Sequence, residues 1–117
     1  MKLVQQNKPG LCVHACYAMI MDCTLEHGIR EFGDRHVSVE SLSRALKQNH
    51  NKRLETARTA DSAWPDRGIV IFECNTGDLH AAVIDGDVIL DPQYGRMTKD
   101  QYANKGLKPL YTRKLKD

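Results

Sequence analysis

The sequence predicts an α+β fold in which an N-terminal helix carrying a cysteine packs on a C-terminal antiparallel sheet. Two observations support this prediction. Apolar residues recur at helical spacing in the first half of the chain, whereas short β-branched runs separated by turn residues fill the second half. At 117 residues and 13.2 kDa, the chain is expected to form one domain, residues 1–117, around a modest core.

The first helix is expected over residues 12–26, after an extended or looped lead-in at residues 1–10. Five apolar residues lie at helical spacing in this stretch: Cys12, Cys16, Met19, Ile20 and Cys23. Glycine is a common helix stop signal, so Gly28 is expected to end this helix. Residues 29–37 have no regular period and are predicted to be irregular.

A second amphipathic helix is predicted after Ser38, which has the residue type of an N-cap. Its apolar stripe consists of Val39, Leu42, Ala45 and Leu46. Residues 49–67 are polar and predicted to form a long surface segment with at most a turn of helix. Trp64 is the bulky anchor of this segment, and both core filling and a place in a substrate cleft are open for it.

From Gly68 onward the pattern predicts strands. GIVIFEC, LHAAVI and DVILD are three β-branched runs, separated by a turn at residues 75–78 and by Asp85-Gly86. A short helix capped by Thr98 is expected over residues 98–104. The last segment, LKPLYTRKL, is predicted to be a closing edge strand whose Pro109 and lysines guard the edge.

The start of the first helix has the features of a reactive thiol. Unpaired backbone N–H groups and the positive end of the helix dipole meet Cys12 there, and both favour the thiolate, which is the nucleophilic form. Gln6, six residues upstream, has a side-chain amide that could donate to a developing oxyanion. Gln5 is the alternative to it.

The second half of the site is predicted from a hairpin. If Asp85 and Gly86 are the two residues of a type I′ loop, the pairing places His80 directly opposite Asp91. Opposed residues share a face, with Cβ atoms about 4.5–5.5 Å apart. The carboxylate would then orient the imidazole and leave its other nitrogen for Cys12. Asp85 and Asp87 are the weaker candidates for this role.

The stretches QNKPGLCVHACYAMI, HAAVI and LDPQYG together resemble papain-like cysteine peptidases, especially the bacteriocin-processing (double-glycine) branch. The resemblance covers most of the chain. It implies a papain-like fold, with Gln6 as oxyanion donor, Cys12 as nucleophile, His80 as general base and Asp91 as its orienting residue. Unlike that family, which usually has glycine after the cysteine, this chain has Val13. The implied function is a thiol hydrolase that cleaves a peptide, isopeptide or other amide bond of a peptide or protein substrate.

Two other function classes remain open. The same Cys-His-Asp set serves transglutaminase-like enzymes and other acyltransferases, in which an amine replaces water. A non-catalytic papain-like binding or inhibitor module is the third possibility. Individually, each residue has an ordinary structural explanation, since a cysteine at a helix start is often a small buried apolar residue. The remaining histidines, His14, His27, His36 and His50, lack a comparable context.

Composition narrows the other possibilities. No apolar run approaches the ~20 residues of a membrane helix, and the N-terminus has no secretory signal, so we expect a cytoplasmic protein with free thiols. Cys12, His14 and Cys16 lie close in sequence, but no second ligand pair completes a zinc site, and no metal or cofactor is expected. The net charge of +2 does not indicate nucleic-acid binding. The last thirteen residues are basic and could contact an acidic partner or nucleic acid, although a solvated terminal strand and tail is the favoured interpretation.

Overall fold

The computed structural model describes residues 1–56, 64–73 and 79–117, apart from the side chain of Lys108. Within these ranges the protein is α+β, as predicted. The elements, in order, are α1 (Cys12–Met21), α2 (Leu25–Phe32), α3 (Val39–His50), β1 (Arg53–Thr56), β2 (Arg67–Glu73), β3 (Leu79–Asp85), β4 (Val88–Asp91), β5 (Gly95–Thr98), α4 (Lys99–Asn104) and β6 (Lys108–Lys116).

All six strands form one antiparallel sheet in the order β1-β6-β2-β3-β4-β5. Side chains alternate between its faces, as strand geometry requires. Ala81 and Val83 join the larger core cluster with α1 and α3, whereas Ala82 and Ile84 join a smaller cluster with Tyr102 of α4. The prediction that the first helix packs on the sheet is therefore confirmed.

The first helix is shorter than predicted. It ends at Met21, because Asp22 adopts a left-handed conformation with φ 56°. A separate helix, α2, then begins after Thr24, whose hydroxyl accepts a hydrogen bond from the backbone N–H of His27. The prediction of one helix over 12–26 is thus confirmed for residues 12–21 and wrong after them, and the predicted irregular stretch at 29–37 is confirmed only from Gly33 onward.

Gly28 does not stop a helix, contrary to the prediction. It lies inside α2, where a Cβ atom would come within 2.6 Å of the His14 carbonyl oxygen. Glycine therefore allows α2 to cross the backbone of α1 at close range, and a larger residue there would force the two helices apart.

The second predicted helix is confirmed as α3. The hydroxyl of Ser38 accepts from the backbone N–H of Ser41, which satisfies one free donor of the first turn. The polar segment predicted at 49–67 differs from the prediction, because its first two residues belong to α3 and residues 53–56 form β1, which pairs with β6. Residues 57–63 of that segment lie outside the described residues. The Trp64 ring packs against Phe72 of the smaller core cluster, with 6.4 Å between the ring centres. This contact favours the core-filling alternative.

The last strand, β6, is not the edge strand that the sequence predicts. It lies between β1 and β2, and the edges belong to β1 and to β5, a four-residue strand that was not predicted. Pro109 is tolerated because the register shifts where it meets Phe72, and because the pairing described for β1 involves residues 113–116 of β6. The capped helix after Thr98 is confirmed. The Thr98 hydroxyl accepts from the Gln101 backbone N–H, and the Gln101 side chain accepts from the Thr98 backbone N–H.

Among the described residues, we find no helix with the length and apolar character needed to cross a membrane.

Candidate active site

Cys12 is the first residue of α1, as predicted, and 7% of its surface is exposed. Gly10, with φ +88°, turns the chain into the helix. The N-cap residue Leu11 makes no side-chain capping bond, so the first-turn N–H groups are not satisfied by a cap. The Val13 N–H is one of them, and its interaction with the Cys12 sulfur helps to lower the pKa of that thiol.

His80 and Asp91 form a buried pair. The His80 Nε2 lies 2.9 Å from both carboxylate oxygens of Asp91, which has no exposed surface. One of these oxygens also accepts from the backbone N–H groups of Gln93 and Tyr94, at 2.7 and 2.9 Å. Three donors therefore hold the carboxylate. An Nε2–H donating to Asp91 leaves Nδ1 of the ring for Cys12.

The pairing that unites His80 with Asp91 differs in detail from the prediction. Asp85 pairs with Val88, so the loop residues are Gly86 and Asp87. Gly86 takes φ +63° while Asp87 stays at negative φ, as in a type II′ loop, because glycine reaches positive φ at no steric cost. The predicted loop was therefore wrong by one residue.

The loop shift preserves the face on which the two side chains meet. Moving the loop by one residue moves the pairing by two, so each side chain keeps its side of the sheet. Extending the observed register places Asp91 level with Ala82, diagonal to His80. Diagonal neighbours are about 7–8 Å apart at the backbone, within reach of a long side chain. The His80–Asp91 contact is thus present through a diagonal pair.

The local electrostatics favour a thiolate. Burial alone would raise the pKa of the Cys12 thiol. Hydrogen bonds with the His80 ring and with the Ala81 and Val13 N–H groups oppose this effect, as does the charge of His80. Together they lower the pKa of Cys12 below its ordinary value. Burial alone would lower the pKa of His80, but Asp91 and Cys12 together raise it to about 9. The pair is therefore stabilised as thiolate and imidazolium.

A cleft of about 190 Å³ opens beside Cys12 and His80. Its lining is mostly apolar and comes from α1, the segment before α3, the start of α3, β2, β3 and β6. Leu79 lies at this cleft and is 58% exposed. The other lining residues are Val13, His36, Val37, Ser38, Val39, Glu40, Ile71, Ala81 and Tyr111. None of these was predicted as a site residue, because they come from five separate elements and the segment before α3 and have no shared local pattern.

Gln6 is tied to the turn behind Asp91. Its backbone N–H donates to the Pro92 carbonyl oxygen at 2.9 Å, and its side-chain Nε2 donates to the Lys8 carbonyl oxygen at 3.0 Å. Its Oε1 is buried without a hydrogen-bond partner among the described residues. An amide has two N–H donors, so one remains available. The structure thus brings Gln6 to the Asp91 turn, and no described hydrogen bond joins it to Cys12.

The other thiols differ from Cys12. Burial and the nearby negative charges of Cys12 and Asp91 raise the pKa of Cys16 well above its ordinary value, and burial also raises the pKa of Cys23. Cys12, Cys16 and Cys23 are free. Cys74 falls outside the described residues.

The described residues contain no group of three or more His, Cys, Asp or Glu side chains placed to hold a metal ion. The zinc alternative, which the sequence did not favour, would have required His14 beside Cys12 and Cys16. The His14 ring instead lies 2.7 Å from the Gly33 carbonyl oxygen through its Nε2. His50 likewise contacts the Tyr17 hydroxyl, at 2.9 Å.

Tyr94 is a neighbour of the site that the sequence did not assign. Its ring meets the His80 ring edge-on, with 6.2 Å between the ring centres. Tyr94 is 40% exposed. It follows the DPQ run directly, so the position was visible in the sequence, but nothing local indicated that the turn folds back onto His80.

Comparison of the chain with protein-family models finds no match, and comparison with curated proteins finds none either.

Proposed function

We propose that this protein is a papain-like cysteine hydrolase that cleaves a peptide, isopeptide or other amide bond. The observation that carries the proposal is the linked set of Cys12, His80 and Asp91, in which a lowered thiol pKa is paired with an imidazole pKa raised to about 9. The placement of the thiol at a helix start, packed on an antiparallel sheet that supplies the histidine, supports the papain-like class.

In the proposed reaction, the Cys12 thiolate attacks the carbonyl carbon of the substrate. The oxyanion that forms accepts hydrogen bonds from the Cys12 backbone N–H and from the Gln6 side-chain amide, through the N–H that does not bond to Lys8. The imidazolium of His80 then donates its proton to the leaving nitrogen as the C–N bond breaks, which leaves a thioester on Cys12. His80 next takes a proton from water as its oxygen attacks the thioester. The C–S bond then breaks, which releases the acid and restores the Cys12 thiolate beside the His80 imidazolium.

Asp91 acts through His80 in this mechanism. Its charge stabilises the imidazolium, and its fixed carboxylate holds the ring so that Nδ1 faces the sulfur. The Gln93 and Tyr94 N–H groups keep the carboxylate in place.

The cleft beside Cys12 favours a peptide or protein substrate over a small amide. A small amide needs only the reacting groups, whereas a cleft of about 190 Å³ has room for an apolar side chain next to the scissile bond. Free thiols at Cys12, Cys16 and Cys23 suit a reducing compartment, and we expect the protein to act in the cytoplasm.

The test is site-resolved alkylation combined with a cleavage assay. We expect iodoacetamide to modify Cys12 at least about 100-fold faster than Cys16 at neutral pH, because thiolate and access control the rate. Purified protein should also cleave members of an unbiased peptide pool, read by mass spectrometry, and the Cys12→Ala variant should cleave none of them.

Cys16→Ala is the matched control, since it removes a thiol from the same helix and should retain cleavage. If Cys12 and Cys16 react equally fast and no peptide is cleaved, the protein is not a thiol hydrolase. An amine donor added to the pool separates hydrolysis from transfer, since acyl-amine products would assign the acyltransferase alternative.

A further inference from the structure

Two exposed cationic side chains, Arg96 and Lys105, line one surface depression next to Tyr94. Arg96 of β5 and Lys105 after α4 line a depression of about 370 Å³ with Gln101 and Asn104, whose amides can also donate. Among the described residues, no carboxylate pairs with Arg96 or Lys105. The depression is therefore lined by donors without a described anionic partner.

The cations of the predicted basic C-terminal segment differ in whether a carboxylate pairs with them. Arg113 pairs with Glu40, and Lys116 lies 3.9 Å from Glu55. These two cations serve the fold at the other end of the sheet. Lys105 instead contacts the Tyr94 ring, with its Nζ 5.0 Å from the ring centre.

Tyr94 connects this depression to the candidate site. Its ring touches His80 edge-on at 6.2 Å, so the route from the His80 ring to the Lys105 ammonium is about 11 Å. An extended peptide covers about 3.3–3.6 Å per residue. A substrate residue within about four positions of the scissile bond can therefore reach Lys105.

The direction of the substrate follows from the role of His80. The imidazolium must contact the leaving nitrogen, because it donates the proton to it. Tyr94 adjoins the His80 ring and the Asp91 carboxylate and is not among the described residues that line the cleft beside Cys12. We therefore assign Tyr94 to the leaving-group part of the substrate.

We propose that Arg96 and Lys105, reached across Tyr94, bind an acidic side chain of the substrate on the leaving-group side of the scissile bond. The inference rests on the proposed hydrolase function. It identifies the substrate as a peptide with Asp or Glu within about four residues after the cleavage point. Attraction between exposed charges weakens with salt, so this preference should shrink as ionic strength rises.

The experiment uses a peptide library randomised at four positions on each side of the scissile bond. We expect the wild-type protein to enrich Asp and Glu on the leaving-group side and the Arg96→Gln/Lys105→Gln variant to lose about three- to tenfold of that enrichment. The control is Arg53→Gln/Lys47→Gln, which removes the same charge. Arg53 lies on β1, the opposite edge strand, and both residues are exposed. Cleavage without acidic enrichment, or equal loss in the control, overturns this proposal and leaves the hydrolase function intact.

Binding provides a second readout that does not need turnover. Fluorescein-labelled tetraglutamate should bind the Cys12→Ala protein more tightly than tetraglutamine does, and the Arg96/Lys105 double variant should abolish that difference. If the library is not cleaved at all, the hydrolase function fails and this binding result alone decides the acidic site. Binding of a labelled single-stranded oligonucleotide at least as tight as that of tetraglutamate, and lost in the same variant, would assign the surface to nucleic acid and overturn the proposal.

Discussion

Cys12 and Cys16 lie one turn apart on the same helix, and both are buried, yet their thiols have opposite properties. The pKa of Cys12 is lowered and that of Cys16 is raised well above its ordinary value. Burial raises the pKa of both. The difference comes from partners, because Cys12 has the His80 ring and two backbone N–H groups, whereas Cys16 has only negative neighbours. Burial alone therefore does not decide whether a cysteine is reactive.

Replacing His80 should abolish the difference between the two thiols, and we expect this to be the largest effect. In His80→Gln, Cys12 keeps its burial but loses the positive partner, so its pKa should rise above the ordinary value. The alkylation rate of Cys12 at neutral pH should fall about 100-fold or more, and peptide cleavage should be lost.

His36→Gln is the matched control, since His36 lines the same cleft and is exposed. It should leave the alkylation rate within about twofold. An unchanged Cys12 rate in His80→Gln would show that the helix start, and not His80, activates the thiol.

Replacing Asp91 should have the next largest effect. In Asp91→Asn, the amide oxygen can still accept from the Gln93 and Tyr94 N–H groups, which turns the amide NH₂ toward Nε2 of His80. The ring would then carry its proton on Nδ1, the wrong tautomer for a base facing Cys12. We expect cleavage to fall about 100-fold, and the pKa of His80 to fall from about 9 toward its ordinary value.

The pKa of His80 in this variant can be followed by NMR of the ring protons. Asp87→Asn, an exposed residue of the neighbouring loop, should change neither quantity. A His80 pKa that stays near 9 in Asp91→Asn would mean that Cys12 alone holds the imidazolium.

The smallest effect, and the one that refines the comparison, is the pH profile of the wild type. His80 loses its proton as pH rises through about 9, and the leaving nitrogen then lacks its acid. Cleavage should therefore decline by about tenfold per pH unit above 9. Alkylation of Cys12 needs only the thiolate, so it should not decline there, and it should fall only as pH drops through the lowered pKa of Cys12.

A stopped assay over pH 5–11 measures both rates on the same sample. Parallel profiles for cleavage and alkylation would contradict the role of His80 as acid.

The sequence was sufficient to predict local features. It was also sufficient to predict which strand side chains share a face of the sheet. Ser38 as the cap of α3 needs only neighbours in sequence, and it was found. His80 and Asp91 were placed together despite the wrong loop, because a shift of two positions keeps both side chains on one face.

Long-range pairing explains what was missed. The place of β6 between β1 and β2 depends on a partner, Arg53–Thr56, that reads as polar loop. The role of Gly28 depends on where α2 crosses α1. The apposition of Tyr94 to His80 likewise depends on a turn that folds back. None of these contacts leaves a periodic pattern in the sequence.

The complete burial of Cys16 has a practical consequence for studies of this protein. A thiol with no exposed surface reacts with a reagent only in molecules that have opened. Its slow modification therefore counts the transient excursions of α1 away from the sheet, as amide hydrogen exchange does. Because Cys12 would be labelled in the closed molecule, one mass spectrum could report both the competence of the site and the free energy of opening of the helix that carries it.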